Sequence, residues 1–225
     1  MKLLASDYDC TLNTFECDLR FNIIFIKKFI QKGNIFVLNT GRSYESIKSE
    51  INKFHIPYNY LACNDGNLLL DHNNNLISCT NIENKLDDLL EFKEKFSKME
   101  IRPFKFNENV LEYEITNVNI NETFLNELQK FCTHHGLCYK TFRVLNRKFL
   151  YIGISNISKS SAIREISRME NIQEKDIYTI GDHLNDIEMI RDFNGYTLPW
   201  GKKEVKEVSQ GVCLSVASLI KKISR

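Results

Sequence analysis

Short apolar runs alternate with segments of helical period along the first third of the chain. Leu3 to Ser6 is a compact apolar run that predicts a buried strand. Phe21, Ile24, Phe25, Lys28 and Phe29 fall at helical spacing, and Gly33 follows as a stop. Ile35 to Leu38 predicts a second buried strand. Ser43 to Phe54 predicts a helix with Ile47, Ile51 and Phe54 on one face, and Tyr60 to Cys63 a third strand. Strands alternating with helices build βαβ units, hence a parallel sheet with helices on both faces.

The middle of the chain changes rhythm. Asp71 to Asn75 is a polar turn, and Glu83 to Met99 predicts a helix with Leu86, Leu89, Leu90 and Phe96 as its apolar positions. Strands are predicted at Arg102–Phe106 and Val110–Thr116. In the second, Leu111, Tyr113 and Ile115 alternate with Glu112 and Glu114, the pattern of an antiparallel strand buried on one face. Asn121 to His135 predicts a helix ending at Gly136, with dipole interaction the reading of His134 and His135. Strands Cys138–Phe142 and Phe149–Ile154 follow. This αββαββ order fits a small open-faced sheet with helices on one side.

The first rhythm then returns. It brings a helix over Ser160–Met169, a strand over Ile177–Ile180, a helix over Ile187–Phe193, a strand over Gly195–Leu198, and helices over Lys202–Val208 and Val216–Ile223. The expected fold class is α/β: a Rossmann-like, doubly wound parallel sheet core with an inserted α+β cap domain. The expected divisions are core over 1–80, cap over 81–153 and core again over 154–225.

Composition narrows the partners. Lys plus Arg is 30 against 29 for Asp plus Glu, a net charge of +1, which argues against nucleic acid. The 7 cysteines are scattered with no C-x-x-C pair, so neither a disulfide framework nor a structural zinc site is expected. The first strand leaves no room for a signal peptide, and no apolar stretch reaches membrane-spanning length. A cytoplasmic protein with no membrane partner is expected, its oligomeric state left open.

The chemistry sits just after the predicted strands. Asp7-Tyr8-Asp9-Cys10-Thr11 follows the first strand, Asn39-Thr40-Gly41-Arg42 the second, and Gly181-Asp182-His183-Leu184-Asn185-Asp186 the Ile177–Ile180 strand; Ser158-Lys159-Ser160 opens a helix. In a doubly wound sheet the carboxyl ends of parallel strands converge on one crevice. Each segment alone has an ordinary explanation: Asp9 as a turn cap, Thr40-Gly41 as a turn leading into a helix, Lys159 as a solvated helix residue, Asp182 and Asp186 as helix-start charges. Two carboxylates at the end of a buried strand are harder to explain structurally.

The ordered set D-x-D-x-T, Thr40, Lys159 and G-D-x-x-N-D resembles the haloacid dehalogenase-like (HAD) superfamily. The position of the insert resembles its Cof-type branch, class IIB, with a small C2-type cap like that of phosphoglycolate phosphatase-like proteins. The resemblance implies a phosphatase acting on a small phosphate ester such as a sugar phosphate or phosphoglycolate. Asp7 is the implied nucleophile and Asp9 the implied general acid and base. Mg2+ is the implied cofactor, held by Asp7, Asp9 (through its main-chain carbonyl) and Asp182, with Asn185 and Asp186 beside them. Thr40, through hydroxyl and backbone N–H, Gly41 and Lys159 are the implied phosphate-binding residues. Arg42, Asn64 and Asp65 are candidate substrate contacts, with Arg42 equally able to pair with an acid. Arg102, Lys105, Arg143, Arg147 and Lys148 of the cap either select substrate or are solvated. Cys10 stands where the family usually has Gly, and Asn64-Asp65-Gly66-Asn67 where it often has an Asn-Gly turn. A phosphomutase and a non-catalytic phospho-ligand-binding module are the alternatives.

Overall fold

A computed structural model describes residues 1–96, 98–144 and 147–224; for Glu16, Cys17, Phe142, Arg143, Val144 and Arg147 it describes the backbone alone. The cap candidates Arg143 and Arg147 therefore have side chains outside the described residues. In chain order the elements begin β1 (Leu3–Ser6), α1 (Glu16–Gln31), β2 (Ile35–Asn39), α2 (Tyr44–Phe54), β3 (Tyr60–Cys63), β4 (Leu68–Asp71) and β5 (Leu76–Cys79). Next come α3 (Leu86–Lys93), β6 (Glu100–Phe106), β7 (Asn109–Thr116), α4 (Glu122–His135), β8 (Leu137–Val144) and β9 (Arg147–Ile154). The chain closes with α5 (Lys159–Met169), β10 (Ile177–Gly181), α6 (Ile187–Asp192), β11 (Asn194–Thr197), α7 (Lys203–Val208), β12 (Gly211–Val212) and α8 (Val216–Ile223). Two compact units result: Met1–Ser78 with Ile157–Arg225, and Cys79–Asn156.

The first unit is built on an 8-stranded sheet in the order β12-β11-β10-β1-β2-β3-β4-β5. Pairing is parallel from β12 through β3 and antiparallel between β3 and β4. Leu3, Ala5, Ile35, Val37 and Ile177 of the sheet pack with Ala162, Ile163 and Ile166 of α5, Met189 and Ile190 of α6 and Val205 of α7. Leu4, Phe36 and Leu38, pointing the other way along the strands, are also fully buried. Both faces being covered is what continuous apolar strands require. The β4–β5 hairpin is an addition to the expected parallel sheet. Asp71 ties its turn by accepting from Asn73 and Asn75, and the Leu68-Leu69-Leu70 run before that turn is its sequence signal.

The second unit has a 4-stranded antiparallel sheet in the order β6-β7-β9-β8. Its core joins Leu89 and Phe92 of α3 to Phe124, Leu128 and Cys132 of α4 and to Val110, Tyr113, Ile115, Leu150 and Ile152 of the sheet. Asn121 caps α4 by accepting from the Phe124 N–H, and Gly136 ends it in the left-handed conformation.

Two expectations are corrected here. The helix expected over Glu83–Met99 is a short 3-10 turn followed by α3, ending at Lys93, with Ser97 outside the described residues. Tight turns after Lys93 bring Phe96 against Phe92 and Phe124 and bury Met99, so packing overrides helical continuation. Nor is the second face of β7 open to solvent: Glu112 and Glu114 are 7% and 9% exposed. Lys140 lies 2.5 Å from Glu112, and the Tyr151 hydroxyl donates to Glu114. His135, in the last turn of α4 where the dipole reading has it, also has Nδ1 3.0 Å from Asp88 on α3.

Candidate active site

The parallel register sets the site. β1 lies between β10 and β2, so the loops carrying Asp7, Asp182 and Thr40 leave neighbouring strands at one edge. The Asp7 N–H donates to the Ile180 carbonyl, which continues the β1–β10 ladder and aims the carboxylate at the loop after β10.

Lys159 binds these loops together. Its Nζ donates to Asp7 Oδ1 at 2.5 Å and to Asp186 Oδ1 at 2.7 Å, and the side chain is fully buried. Ligand atoms of Asp7, Asp182 and Asp186 all lie within 4.8 Å of one another. Three carboxylates thus face one ammonium. Burial pushes the Asp7 carboxyl well above the ordinary range; Lys159 opposes that rise, and Asp186 and Asp182 add to it. Burial also raises Asp182, against the hydrogen bond from Thr11. For Lys159 burial works against the charge, yet Asp186 and Asp7 outweigh it and raise its pKa.

Asp186 is spoken for on both oxygens. Oδ1 takes Lys159, and Oδ2 accepts the backbone N–H groups of Asp182 and His183 at 2.9 Å each. This is possible because residue 181 is glycine: a Cβ there would lie 2.4 Å from the Asp186 Cγ. Asp182 accepts from the Thr11 hydroxyl at 2.8 Å. Hard oxygen donors gathered this closely, with more negative charge than Lys159 balances, are the donor set that Mg2+ favours.

The remaining candidates divide. Thr40 is fully buried, and its backbone N–H donates to the Ala62 carbonyl, so the expected backbone donation to phosphate is corrected: that N–H belongs to the β2–β3 connection. Its hydroxyl oxygen accepts from the Arg42 N–H, leaving the hydroxyl proton to donate. Gly41 leaves space that a Cβ would take within 2.8 Å of Asp65 Oδ1. Asn64 and Asp65 form a left-handed turn whose N–H groups donate to the Arg42 and Thr40 carbonyls. Asn185 turns its amide to Asp65 at 2.8 Å. Asp9 does not join the acid cluster; Arg42 grips its carboxylate through Nε at 2.8 Å and Nη2 at 2.6 Å.

Two bracing roles escaped sequence reasoning, that of Asn39, quoted only as part of its segment, and that of Trp200. Asn39, fully buried at the end of β2, donates to the Lys159 carbonyl and fixes the start of α5. Trp200 donates its indole N–H to the Cys10 carbonyl, holding the loop after β1. Both act across more than a hundred residues of sequence, and neither contact has a local signal. Cys10 sits at φ 57°, the left-handed region that favours glycine, which accounts for its being the unusual residue of the motif.

The profile of the family described as haloacid dehalogenase-like hydrolase matches residues 4–131 and 89–218. An uncharacterized protein of Mycoplasma capricolum is 26% identical over 234 aligned positions, covering 85% of this chain and 88% of its own length. Among solved structures, a Bacteroides thetaiotaomicron phosphatase of the haloalkanoate (HAD) enzyme superfamily, BT1666, superposes with a TM-score of 0.79 at 17% identity, over 100% of this chain and 94% of that one. The HAD subclass IIB sugar phosphatase BT4131 superposes with a TM-score of 0.73 at 18% identity, over 100% and 98%. With its motifs gathered at one sheet edge and the family profile matched over most of its length, the chain belongs to the haloacid dehalogenase-like hydrolases.

Proposed function

We propose that this protein is a Mg2+-dependent phosphatase that hydrolyses a small phosphorylated metabolite through an aspartyl-phosphate on Asp7. One observation carries the reading: a fully buried lysine shared by Asp7 and Asp186, inside a cluster with more carboxylates than cations. A structural ion pair needs no surplus charge, whereas a site that must hold a cation and a phosphoryl group does.

Asp7 attacks phosphorus and the bond to the leaving oxygen breaks, with Asp9 delivering a proton to that oxygen. Asp9 then takes a proton from the water that attacks the acyl phosphate, which releases phosphate and regenerates Asp7. Lys159 neutralises Asp7 and the transferring group, and the Thr40 hydroxyl donates to a phosphoryl oxygen. Mg2+, held by Asp7, Asp182 and the Asp9 main-chain carbonyl, would supply positive charge against the phosphoryl oxygens. Asp186, saturated by its own hydrogen bonds, orients the loop, and Asn185 holds Asp65.

The unit over Cys79–Asn156 takes the part of the cap. Likeness to a sugar phosphatase makes sugar phosphates the first substrates to try, with phosphoglycolate next. No helix among the described residues is long and apolar enough to cross a membrane, and a cytoplasmic, small-molecule role fits the neutral charge balance. The test is phosphate release from a panel of phosphorylated metabolites by wild type and Asp7→Asn. Turnover by wild type and none by the variant is expected; turnover by Asp7→Asn at the wild-type rate overturns the mechanism.

A further inference from the structure

We propose that Arg42 is a positioning residue for Asp9: its guanidinium fork sets where the proton-transferring carboxylate points. The proposal rests on the phosphatase reading above and assigns a role that reading leaves empty. Asp9 lies on the loop after β1, and its side chain is 51% exposed. A half-exposed carboxylate on a loop samples several rotamers, and proton transfer needs one of them.

Arg42 removes that freedom from an anchored base. Its backbone N–H donates to the Thr40 hydroxyl oxygen, and its carbonyl accepts from the Asn64 N–H. The guanidinium carbon lies 5.0 Å from the centre of the Tyr8 ring. Tyr8 is itself fully buried, donating to Glu50 and accepting from Asn13. From this platform both nitrogens reach Asp9, at 2.8 and 2.6 Å, one to each oxygen. Two parallel bonds fix the plane of a carboxylate as well as its position, which a lysine ammonium cannot do. The register of β1 on β2 places the two loops side by side.

A residue that contacts substrate phosphate and a residue that works through Asp9 differ in what they do to the leaving group. The experiment compares Arg42→Met, Arg42→Lys, Asp9→Ala and the Asp9→Ala/Arg42→Met double variant on an alkyl phosphate and on p-nitrophenyl phosphate, whose leaving group needs little protonation. Circular dichroism and Tm verify folding. Arg42→Met is expected to lower kcat on the alkyl ester by about 10- to 100-fold, within the range general acid–base catalysis supplies. On the aryl ester the loss is expected to stay within about threefold. Arg42→Lys should recover little of the alkyl activity, and the double variant should be no slower than Asp9→Ala alone. Equal losses on both esters, a raised KM with kcat intact, or multiplicative losses in the double variant overturn the positioning role. Failure of the phosphatase reading is distinguishable: it is retention of turnover in Asp7→Asn, measured in the same assay.

Discussion

Both units bury carboxylates, and they treat them differently. In the second unit Glu112 is met by Lys140 of β8, two strands away, at 2.5 Å, and Glu114 by the Tyr151 hydroxyl of the neighbouring β9 at 3.2 Å. In the first unit Asp7, Asp182 and Asp186 crowd within 4.8 Å around Lys159. Burying an ion is costly, and a matched partner offsets much of the cost. The paired acids stabilise a sheet; the crowded ones keep more buried negative charge than their lysine balances, which a proton on Asp7 or a bound cation relieves. Burial of acids is therefore a weak sign of function, and surplus buried charge is a strong one.

The two units differ most at their lysines. Lys159→Met strands two buried carboxylates and should cost about 3–5 kcal/mol of unfolding free energy, with loss of turnover. Lys140 is itself about a third exposed, so Lys140→Met should cost about 1 kcal/mol or less. Urea denaturation of both variants measures the gap; equal losses would remove the distinction. Next, Gly181→Ala drives a Cβ into the Asp186 carboxyl and should cost about 1–3 kcal/mol, while Gly153→Ala, with 3.6 Å to Glu112, should stay near neutral.

Asp7→Asn reverses the sign. Because burial raises the Asp7 pKa above its unfolded value, ionising it costs folded-state stability, and that cost grows as pH rises above the ordinary carboxylate range. The metal-free variant should melt about 2–4 °C higher near neutral pH, where wild type loses stability with rising pH, and the difference should shrink toward acid. Thermal melts across pH report it; an unchanged melting profile would show that Lys159 fully offsets the Asp7 charge. Glu114→Gln, which keeps an acceptor for Tyr151, should shift stability by about 0.5 kcal/mol or less. The smallest effect is expected at Cys10, where Cys10→Gly relieves a left-handed backbone and should gain up to about 1 kcal/mol with turnover retained.

The alternation of apolar runs and helical periods made β1, β2, β3, β10 and most helices legible, because buried parallel strands carry an unbroken apolar signal. The acid loops were legible as spaced motifs directly after buried strands, and the parallel register brings their carboxylates together at one sheet edge. What the sequence hid is set by contacts between distant segments. The end of α3 depends on Phe96 finding Phe92 and Phe124. The burial of Glu112 and Glu114 depends on Lys140 and Tyr151 one strand or more away. The Thr40 N–H is taken by Ala62, and Arg42 chooses Asp9. Asn39 and Trp200 brace the site through side-chain hydrogen bonds to residues more than a hundred positions away, which leave no pattern to read.

In the proposed phosphatase the surplus charge around Lys159 holds a divalent cation for phosphoryl transfer. Phosphate release followed through chelation and Mg2+ return, with Tm recorded at each stage, tests it most directly. Turnover that stops on chelation, with Mg2+ restoring it and raising the Tm of wild type more than that of Asp182→Asn, is the predicted result. Turnover that persists undiminished without divalent metal would contradict it.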